Sequence, residues 1–130
     1  MELARFIAWH GKLNWKPGSV DCLLTLADWF VFRGFPDPAS HLRGTYNDEA
    51  GFQAIVTRQG GAVATVEPCA AMIGLQRIET PRVGSIGVIG SASSPDRQFG
   101  AIYNGRQWLT RADKGFLPLI ARPLVVWDKV

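Results

Sequence analysis

Apolar positions recur at two different periods along this chain, and the change falls near Leu75. Before it, spacings of three and four predominate, as in helices that bury one face. Leu3, Phe6 and Ile7 predict a helix over residues 2–10. Cys22, Leu23, Leu26, Ala27, Phe30 and Val31 predict a second over 22–33, with Asp21 as its N-cap and Gly34 as its stop. Ala50, Ile55 and Val56 mark a third over 48–59, ended by Gly60-Gly61. Pro68 suits a first helical position and predicts a short fourth helix ending at Gly74.

Beyond Leu75 the pattern shortens to strands. Ile86-Gly87-Val88-Ile89 and Phe99-Gly100-Ala101-Ile102-Tyr103 are compact apolar runs, and Asn104-Gly105 is a hairpin signal leading into Gln107-Trp108-Leu109-Thr110. Phe116-Leu117-Pro118-Leu119 and Leu124-Val125-Val126-Trp127 extend the sheet, and Ser93-Ser94-Pro95-Asp96 reads as a loop. Helices followed by a meander of strands define an α+β class, with N-terminal helices packed on a C-terminal antiparallel β-sheet. No repeat or linker interrupts the chain, so residues 1–130 are expected to form a single domain.

Composition narrows the partners. The chain is 47% hydrophobic and 19% charged, which excludes general disorder. No apolar run approaches the roughly 20 residues needed to cross a bilayer, so no membrane span is expected. The start, Met1-Glu2-Leu3-Ala4-Arg5, lacks a basic segment followed by a long apolar one, so no secretory signal is expected. The net charge of +3 is spread over scattered Lys and Arg without interleaved aromatics, which argues against a nucleic-acid partner. The two cysteines, Cys22 and Cys69, have no metal-ligand spacing, and His10 and His41 are the only histidines; neither a metal nor a cofactor is expected. A Cys22–Cys69 disulfide stays open at this level, although a cytoplasmic product would keep both thiols reduced.

Cys22 is the chemically interesting position. A thiol in the first turn of a helix meets unpaired backbone N–H groups and the positive end of the helix dipole, which favours thiolate. It is either a nucleophile or a small buried hydrophobe, the common fate of a free cysteine.

Asp21-Cys22 opening a helix, followed later by a strand pair, resembles the papain-like core of the NlpC/P60 cell-wall peptidases. The fuller set comprises Trp15, Asp21-Cys22, Ala27-Asp28-Trp29, Gly34, Asp37-Pro38, Leu42-Arg43-Gly44 with Tyr46, Gly60-Gly61, Arg82-Val83-Gly84, Gly105 and Trp127. In that order it is similar to short NlpC/P60-like proteins of phages and prophages encoded among tail genes. The resemblance implies a papain-like NlpC/P60-type core, a place in the virion tail after synthesis in the host cytoplasm, and tail-tip partners such as hub and distal-tail proteins. Peptidoglycan is the implied substrate of the active relatives.

The same resemblance implies a loss. Active NlpC/P60 enzymes carry His-Val-Gly-Ile-Tyr at the second strand; here Phe99 stands in the histidine's place, Gly84-Ser85 replaces a Gly-Asp pair, and the third polar position falls near Thr110 or Arg111. A cysteine amidase needs a base that holds the thiolate and then protonates the departing amine, and phenylalanine does neither. His41, in the loop Asp37-Pro38-Ala39-Ser40-His41-Leu42-Arg43-Gly44, is the alternative base, whereas His10 is expected at the surface or a helix end.

Other candidates have structural readings. Trp9, Trp15, Trp29, Trp108 and Trp127 form either a sugar platform or core and interface area. Arg43 is expected to anchor its loop to backbone carbonyls, Asp28 to lie away from Cys22, and Asp21 to cap. Two functions follow. One is a tail-tip structural or assembly subunit on a degenerate NlpC/P60-like scaffold; the other is an active peptidase cutting peptidoglycan peptides during genome entry, with Cys22 as nucleophile and His41 or a partner's residue as base.

Overall fold

The computed structural model describes residues 2–130 and has an α+β architecture: four helices lie ahead of a six-stranded antiparallel sheet. The helices are α1 (Glu2–His10), α2 (Leu24–Phe32), α3 (Glu49–Gln59) and α4 (Ala62–Met72). The strands are β1 (Leu75–Ile78), β2 (Ile86–Gly90), β3 (Gln98–Tyr103), β4 (Trp108–Ala112), β5 (Gly115–Leu119) and β6 (Pro123–Lys129). No helix among the described residues is long and apolar enough to cross a membrane.

Asp48 caps α3 by accepting from the Gly51 N–H at 2.7 Å, and Gly60 closes it in the left-handed region that glycine enters without steric cost. The fourth helix departs from expectation. It begins at Ala62 and carries Pro68 in its interior, because the Ala62–Val66 segment already buries Ala62, Thr65 and Val66. Pro68 itself is exposed, and its missing N–H leaves the Ala64 carbonyl, one turn earlier, without its helical donor.

The strand order is β1-β6-β2-β3-β4-β5. Strands β2 to β5 form the expected meander, but β6 returns across the sheet and inserts between β1 and β2. One face packs against the helices through Ile86, Val88, Ile102 and Trp127, meeting Leu26, Phe30, Val56 and Val66. The opposite face holds a smaller cluster of Ile89, Ala101, Trp108 and Val126. A Cβ on Gly87 would meet the Trp108 ring at 2.8 Å, so glycine there lets the indole lie flat across the sheet. Helix α2 is tied to the start of β2 by the Trp29 indole N–H, which donates to the Gly84 carbonyl at 2.9 Å. The Trp127 indole N–H donates to Glu67 and ties β6 to α4.

Candidate functional site

The site is organised around Asp21, which is 1% exposed. Its carboxylate accepts from the backbone N–H groups of Gly18 (3.0 Å), Leu23 (3.1 Å) and Leu24 (2.8 Å) and from the Tyr46 hydroxyl (2.7 Å). Its carbonyl takes the Thr25 N–H at 3.0 Å, so Asp21 caps as expected, but what it caps is a turn: α2 itself begins at Leu24, two residues later than the predicted start, and Cys22 lies ahead of the helix. Four donors on one carboxylate leave it no free role in proton transfer. Tyr46 feels the same arrangement: burial and the adjacent negative charge push its pKa up, so it stays a donor. Gly18 is needed because a Cβ at its φ of +90° would lie 1.9 Å from the Tyr46 carbonyl oxygen.

Cys22 follows in that capped turn, buried among α2 and the sheet. Its pKa is pushed up to about 12, chiefly by burial; a Gly100 backbone hydrogen bond acts downward, and the charges of Asp21 and Glu49 act upward. The helix start does not deliver a thiolate, because desolvation and two carboxylates outweigh the local N–H groups. Cys22 and Cys69 are both free thiols, so the disulfide left open by the sequence does not form.

Cys22 borders a cleft of about 340 Å³ with Trp15, Glu49, Gln98, Phe99 and Arg111. The cleft opens where β3 and β4 part. Their ladder pairs Ile102 with Leu109 and Tyr103 with Trp108; beyond it the Thr110 hydroxyl donates to the Gly100 carbonyl at 2.9 Å. Alternation along β3 decides which residues face the helix. Gly100 lies against Cys22, Leu23 and Leu26, and Ile102 joins the helix-side core. Gln98 shares that face, with its amide oxygen 3.9 Å from where a Gly61 Cβ would stand. Phe99 pairs with Ile89 on the opposite face and reaches the cleft from there, 41% exposed. By face, the strand residue turned toward Cys22 in the histidine's neighbourhood is Gln98, one position before the phenylalanine that the sequence pattern selects. Gln98 carries no base: its amide nitrogen donates to the Ser91 carbonyl at 2.9 Å.

His41 lies exposed in its loop and does not line the cleft. His10 is at a helix end, one of its two expected places, but not at the surface. It is fully buried at the end of α1, between Asp28 and Arg111. Arg111 Nε donates to His10 Nδ1 at 3.3 Å, which leaves the ring proton on Nε2, where it donates to Asp28 Oδ2 at 2.7 Å. Arg111 also donates to the carbonyls of His10 and Leu13, fixing the chain that leaves α1.

Arg43 differs from expectation as well, since carboxylates rather than carbonyls hold it. Its Nη2 is 2.7 Å from Asp28 Oδ1, and its Nε donates to Asp37 Oδ2 at 2.8 Å. Burial alone pulls the Arg43 pKa down, but the two carboxylates outweigh it and the net shift is upward. The Arg43 hydrogen bond in turn lowers the pKa of Asp37. This chain from Arg111 through His10 and Asp28 to Arg43 and Asp37 was hidden from sequence reasoning, because its members are drawn from four separate segments. Val31, counted on the buried face of α2, is exposed. Among the described residues, no cluster of His, Cys, Asp and Glu is suited to a metal.

The family described as Domain of unknown function (DUF6950) has a model that matches residues 1–128. No curated protein and no solved structure matches the chain.

Proposed function

The chain belongs to the DUF6950 family, and from that premise we propose that it is a structural or assembly subunit of a phage-like tail tip, built on an NlpC/P60-like, papain-type scaffold without a working active site. One observation carries the loss of catalysis. Cys22 lies in the capped turn just before α2, against β3 and beside a cleft, yet the β3 residues there are Gln98, Phe99 and Gly100, and burial pushes the thiol pKa up to about 12. Neither a proton acceptor for the thiol nor a donor for a leaving amine stands at that position.

The tail assignment rests on the ordered motifs from Trp15 to Trp127 that resemble short tail-gene proteins. A cleft that lacks this acid–base group on β3 is retained, in this account, as a shaped surface in an assembly with hub and distal-tail proteins. Its location is the virion tail, after synthesis in the host cytoplasm.

The test is mass spectrometry of purified particles and of tail intermediates, combined with cross-linking to hub and distal-tail proteins. The chain is expected in both preparations at a fixed stoichiometry. Its absence from particles and from every intermediate would overturn the assignment.

A further inference from the structure

We infer that a second pocket, formed by Trp9, Asp28 and Arg43, binds a neutral pyranose ring. It is lined by Trp9, Leu13, Ser19, Asp28, Phe32 and Arg43 among others, and shares no lining residue with the Cys22 cleft. The inference does not depend on the tail assignment. At about 280 Å³ the pocket lies just below the usual small-molecule range of about 300–1,000 Å³, the scale of a single sugar ring.

Its apolar wall is an aromatic stack that emerges from the core. Trp29 is buried; Phe32 stacks on it at 6.4 Å with 23° between planes, and Trp9 stacks on Phe32 at 5.9 Å with 22°. Trp9 ends the run and is 51% exposed, so the stack presents an indole held in one orientation at the surface. A pyranose offers a flat array of C–H groups to such a surface and hydroxyls at its edge.

The polar wall supplies partners for those hydroxyls. Asp28 is fixed by His10 on one oxygen and by Arg43 on the other, and each oxygen keeps a further lone pair. Arg43 spends Nε and Nη2 on Asp37 and Asp28, and its Nη1 has no partner among the described residues. Ser19 adds an exposed hydroxyl. Side chains that are already locked lose little entropy on binding, which favours a ligand with several weak hydrogen bonds. Arg43 serves both Asp28 and Asp37, and with Arg111 beyond His10 the formal charges of this chain of side chains balance, so the pocket favours an uncharged ring over an acidic or basic one. A hydroxyl both donates and accepts, so a ring that carries several can satisfy a carboxylate and a guanidinium side by side.

The experiment uses the full chain labelled with ¹⁵N. Methyl glycosides of glucose, galactose and N-acetylglucosamine serve as the free ring, and an N-acetylglucosamine trimer serves as a chain end. Saturable shifts of the Trp9 indole N–H and of the Ser19 and Val31 amides are expected with at least one probe. Trp9→Ala, a change at an exposed side chain, is expected to weaken binding about tenfold, read at Ser19 and Val31 while the other indole signals keep their positions. Arg43→Lys, which keeps the charge but removes the fork, is expected to weaken it as well. Absence of a saturable shift with every probe, or shifts that survive Trp9→Ala undiminished, would overturn the assignment. Saturable shifts with the trimer alone would assign the pocket to a glycan chain end rather than a free sugar.

Discussion

A Cβ added to Gly100 would lie 2.6 Å from the main-chain oxygen of Cys22 and 3.0 Å from side-chain carbons of Leu23 and Leu26. The strand and the capped turn are thus in backbone contact, and the position of Cys22 is set by a residue without a side chain. Gly100→Ala forces one of two packed elements to move, at a cost of about 1–3 kcal/mol. The expected result is a lower urea midpoint with an unchanged slope. An unchanged midpoint contradicts the close approach.

Asp21 and Tyr46 allow a graded comparison. Asp21→Ala strands the N–H groups of Gly18, Leu23 and Leu24 together with the Tyr46 hydroxyl, and is expected to cost about 3 kcal/mol or more. Tyr46→Phe removes only the hydroxyl and is expected to cost about 1.5–3 kcal/mol, the range for a hydrogen bond to a charged group. Chemical unfolding of both variants checks the order. Equal losses would mean that the backbone bonds to Asp21 contribute nothing.

The thiol makes a prediction about alkaline pH. Cys22 is neutral when protonated and its folded pKa is raised to about 12, so its contribution to stability is complete below the unfolded value of about 8.5. That contribution is lost as pH rises through about 12. Alkylation by iodoacetamide, mapped by mass spectrometry to separate Cys22 from Cys69, is expected to be slow at neutral pH and to keep rising past pH 9 without a plateau. A plateau near neutrality would identify an activated thiolate.

The loop held by Arg43 is sensitive to acid. The Asp37 pKa is lowered by the Arg43 hydrogen bond, so the stability it lends is present above the unfolded value of about 3.9 and is lost as pH falls through the lower folded value. Hydrogen exchange at the Ala39 amide, which donates to Asp37 at 3.0 Å, is expected to accelerate in that acid window relative to the core amides. In Asp37→Asn the exchange is expected to be fast already at neutral pH.

Local signals were legible in the chain. The Asn104-Gly105 turn, the apolar run Ile86-Gly87-Val88-Ile89, the cap Asp21 and the stop Gly60 act over a few residues, and the structure follows them. Pro68 misled because a proline marks a helix start only when nothing upstream can form the preceding turn, and Ala62–Val66 can. The insertion of β6 between β1 and β2 depends on pairings such as Leu75 with Lys129, which no local pattern encodes. The site was half visible. Cys22 and its cap stood out, but which β3 residue faces the thiol depends on strand phase, and Gln98 and Gly100 rather than Phe99 occupy that face. His10 gave no signal of burial because its partners lie 18 and 101 residues away.

The central claim is a scaffold that keeps the cysteine and has lost the base, and release of new amino groups from purified peptidoglycan tests it most directly. The account predicts no release above background from the wild-type chain, and the same trace from Cys22→Ala. Release by the wild type that disappears in Cys22→Ala would contradict it, and a parallel loss in His41→Ala would identify the base.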